Sequence, residues 1–209
     1  MTVMLGAAST AAVLAQGNVY SLNIVGYINQ TIPSGFSMLA NQLQASDQKV
    51  TALIPAPPEN TAVFKFNPAT GGYLANTFVD GAWEGDDLNM TLGSGEGVFI
   101  SAPSQFVNTF VGEIRLNSTN AVKTGFSIMS SPIPQSAAID TVLGYPAGEG
   151  DSIFQFNPAT GGYIADTFVD GAWEGDSGGS APAPGVGKAF FVFNNGAQKN
   201  WVRNFSVGN

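Results

Sequence analysis

Residues 64–86 read FKFNPATGGYLANTFVDGAWEGD, and residues 154–176 read FQFNPATGGYIADTFVDGAWEGD. The copies lie 90 residues apart and differ at three of 23 positions: Lys65/Gln155, Leu74/Ile164 and Asn76/Asp166. Each copy reads as three short strands and two turns. Phe64-Lys65-Phe66 alternates apolar and polar, as a half-buried strand does. Asn67-Pro68-Ala69-Thr70-Gly71-Gly72 is turn chemistry, since Asn bonds back to the backbone, Pro presets φ and Gly reaches positive φ. Tyr73 to Val79 is rich in aromatic and β-branched residues and reads as strand. Asp80-Gly81 predicts a type I′ hairpin turn, which needs positive φ at both central residues. Ala82-Trp83-Glu84 then returns. Lys65/Gln155 suits a solvent face and Leu74/Ile164 a core. Asn76/Asp166 shares a face with Leu74/Ile164, so either that face runs out of the core or a bulge intervenes.

Working outward, the repetition covers nearly the whole chain. Gly35-Phe36-Ser37-Met38-Leu39 matches Gly125-Phe126-Ser127-Ile128-Met129 at the same offset of 90, and residues 93–100 match 185–192 at an offset of 92. Residues 18–32 read as one long strand, or two with a kink at Gly26, followed by a turn at Pro33-Ser34-Gly35 and a strand over 36–40. Ser46 is the expected cap of a short helix over 47–54, ended by Pro55-Ala56-Pro57-Pro58. Ser136 is the expected cap of its counterpart over 137–143. Strands are expected at 98–100 and 106–116, and 177–184 (SGGSAPAP) is an insertion-tolerant loop. Val25-Gly26, Val111-Gly112 and Val207-Gly208 echo one another, which reads as a strand around Val111 shared between units. The expected fold is all-β: two pseudo-repeated sandwich- or barrel-like halves, 16–112 and 113–209, each with one short helix.

Composition narrows the function. Apolar residues make up 44% of the 209, enough for a core, while charged residues are only 11%, so Ser, Thr, Asn and Gln must cover much of the surface. The net charge is −8 and the seven basic residues are scattered, which argues against binding nucleic acid or an anionic membrane. There is no Cys and no His, hence no disulfide framework, no thiolate ligand and no imidazole base. Residues 1–15 form an uncharged apolar run ending Val13-Leu14-Ala15, which resembles a signal-peptidase site without the usual basic leader. The run is too short to span a membrane, and the mature chain is expected outside the cell or on its surface.

Asn23-Ile24-Val25-Gly26-Tyr27-Ile28, Gly35 to Asn41, Gly95-Glu96-Gly97-Val98-Phe99-Ile100, Gly125 to Ser131 and Trp201 to Val207 together resemble a family of secreted, uncharacterised proteins of verrucomicrobial-type bacteria. The resemblance implies export and a duplicated β module. It brings no activity and no functional residues.

Two residue sets could carry chemistry. Tyr73 with Trp83, and Tyr163 with Trp173, could form two sugar-stacking platforms, or the tryptophans could be core. Asp80, Glu84, Asp86 and Asp87, repeated as Asp170, Glu174 and Asp176, could offer oxygens to a hard cation, but their spacing fits no EF-hand loop and a solvated turn explains them as well. Paired carboxylates can hydrolyse glycosides, yet these occur in duplicate on exposed turns. Gly93-Ser94-Gly95-Glu96-Gly97 lacks the Lys and Ser/Thr of a phosphate loop and precedes a strand. The expectation is a non-enzymatic exported protein without cofactor. It would be a filament or surface-layer subunit that pairs with itself through terminal strands, or else a secreted carbohydrate-binding module with two equivalent sites.

Overall fold

The computed structural model describes residues 24–206. In the first unit the chain forms β1 (Val25–Ile32), β2 (Gly35–Leu39), α1 (Val50–Leu53), β3 (Ala62–Asn67), β4 (Gly72–Val79), β5 (Ala82–Gly85), β6 (Val98–Ala102) and β7 (Phe106–Glu113). The second unit forms β8 (Asn117–Val122), β9 (Gly125–Met129), β10 (Ser152–Asn157), β11 (Gly162–Val169), β12 (Ala172–Gly175), β13 (Phe190–Asn194) and β14 (Lys199–Asn204). Each unit holds one five-stranded antiparallel sheet, β2-β6-β3-β4-β5 or β9-β13-β10-β11-β12. A two-stranded ribbon, β1-β7 or β8-β14, completes each unit. The all-β fold with two pseudo-repeated halves is therefore the one the repeat predicts.

Side-chain alternation divides each five-stranded sheet into an inner and an outer face. In the first unit Val63, Phe78, Trp83, Val98 and Ile100 point inward. Ile28, Ile32 and Phe110 of the ribbon cover them, together with Leu43, Val50, Leu53 and Ile54. The second unit repeats the arrangement with Ile153, Trp173, Phe190 and Val192 under Val122 and Trp201. Each half is thus a small sandwich of sheet and ribbon. The pairing of β3 with β4 runs unbroken from Ala62↔Thr77 to Asn67↔Gly72, so no bulge intervenes. The inner face of β4 simply leaves the core at its first residues, where Leu74 stands 38% exposed. The Asp-Gly turns form as predicted, with φ of 51° at Asp80 and 78° at Gly81, and 51° at Asp170 and 82° at Gly171.

Three expectations are corrected. Ser46 does not cap a helix: α1 is a four-residue turn that starts after Lys49, and the Asp47 carboxylate accepts the Lys49 N–H at 2.9 Å. Residues 137–143 are bends and turns, not a helix, so among the described residues only the first half has one. There the Leu143 N–H reaches past the helical partner to the Ala138 carbonyl, and the Asp140 carboxylate takes the Thr141 N–H at 2.6 Å. Local bonds of this kind compete with helix, and Ile139, Thr141 and Val142 are β-branched. Finally, β7 is not shared between units. Among the described strands it pairs only with β1, in a register that puts Gly26 opposite Gly112 and Tyr27 opposite Val111. The glycine has a local cause: a Cβ on Gly112 would sit 2.6 Å from the Gln44 carbonyl oxygen, because Gln44 and Glu113 exchange backbone hydrogen bonds across it. Val207-Gly208 lies outside the described residues, as do 1–15 and the first part of the 18–32 strand. The terminal strands do not pair with each other: β1 lies beside β7, and β14 beside β8.

The two sheets meet through their outer faces. Met38, Ala40, Ile128 and Ala189 are buried there against Phe66, Phe99, Phe156 and Phe191. The backbone contacts are reciprocal, as a two-fold relation requires. Leu39 bridges Lys188 while Met129 bridges Glu96. The Ala40 N–H donates to the Gly187 carbonyl, and the Ser130 N–H donates to the Gly95 carbonyl, each at 3.0 Å. Side chains follow suit: Gln30 Nε2 donates to the Val186 carbonyl and Asn120 Nδ2 to the Ser94 carbonyl, each at 2.9 Å.

Candidate functional site

The outer faces carry a continuous array of aromatic rings. On the first sheet Phe36, Phe64, Phe66, Tyr73 and Phe99 share one face, because they sit at matching register positions of β2, β3, β4 and β6. Phe126, Phe154, Phe156, Tyr163 and Phe191 repeat this on the second sheet. Phe99 and Phe191 meet at the centre with centroids 5.9 Å apart. Phe66 packs edge-on against Phe191 at 5.6 Å, and Phe99 against Phe156 at 5.5 Å, the geometry aromatic quadrupoles favour.

Outside this central quartet the sheets diverge and leave two grooves of about 500 Å³ each. One is walled by Phe36, Phe64, Tyr73 and Phe99, with Phe156, Pro158 and Gly161 reaching in from the second unit. The other is walled by Phe126, Phe154, Tyr163 and Phe191, with Phe66 and Gly71 from the first. The rings stay open to solvent: Phe36 is 52% exposed, Tyr73 44%, Phe126 46% and Tyr163 43%. Burial of the ring bases pushes both tyrosine hydroxyls above their ordinary value, and Tyr163 is raised further by the charge Tyr73 would carry. Both hydroxyls are therefore neutral donors near pH 7.

A smaller polar cavity shares a wall with each groove. Beside the Tyr163 groove lies one of about 310 Å³, with Phe66 common to both. There Lys65 Nζ pairs with Glu96 Oε1 at 3.1 Å and donates to the Thr91 carbonyl at 2.7 Å. Beside the Tyr73 groove lies one of about 170 Å³, with Phe156 and Pro158 common to both. Here Gln155 stands in the place of Lys65 and Lys188 in the place of Glu96. Among the described residues no carboxylate lies within ion-pair distance of Lys188. Its side chain reaches solvent, yet partial desolvation lowers its pKa from the ordinary lysine value.

The sequence-predicted pairs are not brought together. Tyr73 and Tyr163 lie in the grooves, but Trp83 and Trp173 lie on the opposite face of each sheet, inside the cores. Trp83 packs edge-on against Phe78 at 5.6 Å and donates its indole N–H to the Ile54 carbonyl at 2.9 Å. Trp173 donates to Asp140 Oδ2 at 2.9 Å. The register accounts for this, since Trp83 pairs with Phe78, an even-numbered neighbour on the inner face. The acidic residues serve the hairpins. Asp86 Oδ2 accepts the Ala75 N–H at 2.8 Å, and Asp176 Oδ2 the Ala165 N–H at 2.9 Å. Asp80 and Asp170 hold the turns, whose N–H groups are gripped by Glu59 and Glu149. Glu84 and Glu174 project outward from β5 and β12. Among the described residues no three acidic side chains converge as a metal site. A further titratable cluster, Asp151 with Tyr145 and Lys199, is packed into the second core and belongs to its stability.

Phe36, Phe64, Phe99 and their counterparts went unread as site residues, although the internal repeat marks them. Around Phe99 the neighbours change from Val98 and Ile100 to Phe190 and Val192, while the phenylalanine stays. Around Phe36, Met38 becomes Ile128 and Leu39 becomes Met129, again with the ring kept. No family model, curated protein or solved structure matches the chain.

Proposed function

We propose that this chain is an exported, non-enzymatic carbohydrate-binding module with two equivalent aromatic sites, one in each groove. The carrying observation is that every groove pair is the same residue type: Phe36/Phe126, Phe64/Phe154, Tyr73/Tyr163, Phe99/Phe191, Phe66/Phe156 and Gly71/Gly161. Phe36/Phe126 and Phe99/Phe191 keep their type outside the near-identical 23-residue stretch, where core positions do change, as Asn108 and Trp201 do while both bond the carbonyl of the matching leucine. Open aromatic faces stack on the C–H faces of sugar rings, and the tyrosine hydroxyls supply polar donors. Two sites on one rigid body would engage a repeating polymer with avidity. Affinity electrophoresis of wild type and Tyr73→Ala, Tyr163→Ala and double variants in soluble polysaccharides tests the reading. Each single variant should weaken retardation about tenfold and the double variant should abolish it, with unchanged melting temperature. A double variant that is retarded like wild type would end the proposal.

Self-assembly is a second reading, supported by the outer face of the β1-β7 ribbon. Tyr27 is 70% exposed, Val107 62% and Val111 45%, on two strands that among the described residues pair with each other and with no third strand. Unpaired edges and apolar faces recruit partners. Light scattering of concentrated mature protein should then show polymers, which Tyr27→Lys removes; a monomer at every concentration argues against it.

A further inference from the structure

We propose that the two grooves differ in selectivity, and that the Tyr73 groove takes a sugar bearing a carboxylate, a uronate, with Lys188 as its counter-ion. This rests on the reading of the grooves as carbohydrate sites. The aromatic platforms are alike, so selectivity has to come from the polar cavities that share their walls. At the positions that line both, two exchanges change the charge, and the larger cavity also carries the exposed Lys123. Lys65 with Glu96 becomes Gln155 with Lys188, so a closed ion pair gives way to an amide and an ammonium that has no carboxylate partner among the described residues.

An ammonium that has lost part of its hydration without gaining an anion is poised to accept one from a ligand. Ser37 and Gln155 line the same cavity and make no side-chain hydrogen bond to another described residue. A hydroxyl, an amide and an ammonium are together the donor set for a carboxylate. Phe156 and Pro158 form the common wall, so a sugar ring stacked in the groove can place a substituent beside Lys188. In the cavity beside the Tyr163 groove Lys65 is already taken by Glu96 and Lys123 is exposed to water, so a matching carboxylate there meets Glu96 and gains less. The net charge of −8 disfavours dense polyanions, which narrows the ligand to a largely neutral glycan with isolated uronates.

Titrations of methyl glucuronide and methyl glucoside, followed by protein NMR, test this in two backgrounds. Tyr163→Ala leaves only the Tyr73 groove, and Tyr73→Ala only the other. The Tyr163→Ala protein should bind the glucuronide about tenfold more tightly than the glucoside, as one charge-assisted contact allows. Lys188→Gln in that background should remove the preference while keeping the glucoside affinity, and Gln155→Lys with Lys188→Glu should do the same by restoring the ion pair. The Tyr73→Ala protein should show a much smaller preference for the glucuronide, or none. Equal affinities in the Tyr163→Ala protein, or a preference that survives Lys188→Gln, would overturn the charge assignment and leave the sugar reading standing. Binding of neither sugar in either background would overturn both.

Discussion

Asn76 and Asp166 are matched residues in matched strands, both buried, and each is answered by a different neighbour. Asn76 Nδ2 donates to the Asp87 carbonyl at 2.7 Å and its Oδ1 accepts the Asp87 N–H at 3.1 Å. Asp166 is acceptor only, and Ser177 supplies both an N–H at 2.8 Å and a hydroxyl at 2.7 Å. The compensating exchange, Asp87 to Ser177, falls one residue beyond the repeated stretch, so the sequence displays it without explaining it. Asn76→Asp should cost about 1–3 kcal/mol in urea titrations, because a carboxylate would face a carbonyl with one donor lost. Adding Asp87→Ser should recover most of that loss. Tyr145 is a second case. Burial, then the charge of Asp151, then the hydrogen bond to it at 3.0 Å, all raise its pKa far above the ordinary 10.0. The folded state thus holds the proton more tightly than the unfolded chain. Its contribution is complete below pH 10 and declines as pH rises beyond the unfolded value. Urea midpoints should fall between pH 9 and 11, and Tyr145→Phe should flatten that fall.

At the scale of elements, local chemistry was the legible part. Asp80-Gly81 and Asn67 to Gly72 announced their turns because turn conformations demand particular residues, and the Asn67 side chain does accept the Ala69 N–H at 3.0 Å. The helices were the misread part, since four residues cannot show a period and Asp140 is committed to Trp173 and Thr141. The Val-Gly echoes were seen but misassigned: two of them face each other in one ribbon, a pairing between residues 86 positions apart that no local pattern reveals. Gly112→Ala should therefore be costly although the position is a plain strand. Its methyl would meet the backbone of Gln44 and Ala45, which cannot yield as a side-chain tip can. A loss of about 1–3 kcal/mol is expected by thermal denaturation, whereas Gly35→Ala, with open space around it, should show only the strain of its positive φ.

For the whole molecule, the repeat predicted two halves but not which faces meet. A row such as Phe64-Lys65-Phe66 shows alternation, yet the chain has both a core face and an aromatic outer face, and apolar residues mark each of them. The tryptophans could be read as site or as core for that reason, and Phe64 and Phe66 only as one side of a half-buried strand. Gly97 reports how closely the halves approach: a Cβ there would lie 2.3 Å from that of Ala189 and 2.7 Å from the Ile128 side chain. Gly97→Val should therefore wedge the sheets apart. Small-angle scattering should show a larger radius, and both grooves should lose ligand together, because each is built from residues of both units.

The exchanged backbone bonds, Ala40 to Gly187 and Ser130 to Gly95, have a consequence for ancestry. A single unit presents both members of the exchange, the donor after its second strand and the acceptor before its sixth. Two identical free units would satisfy one another in an isologous dimer, with the grooves formed at the seam. A tandem gene that fused such a homodimer would free each half to mutate alone. Lys188 and Glu96, matched in position and opposite in charge, are where the two halves differ in that way.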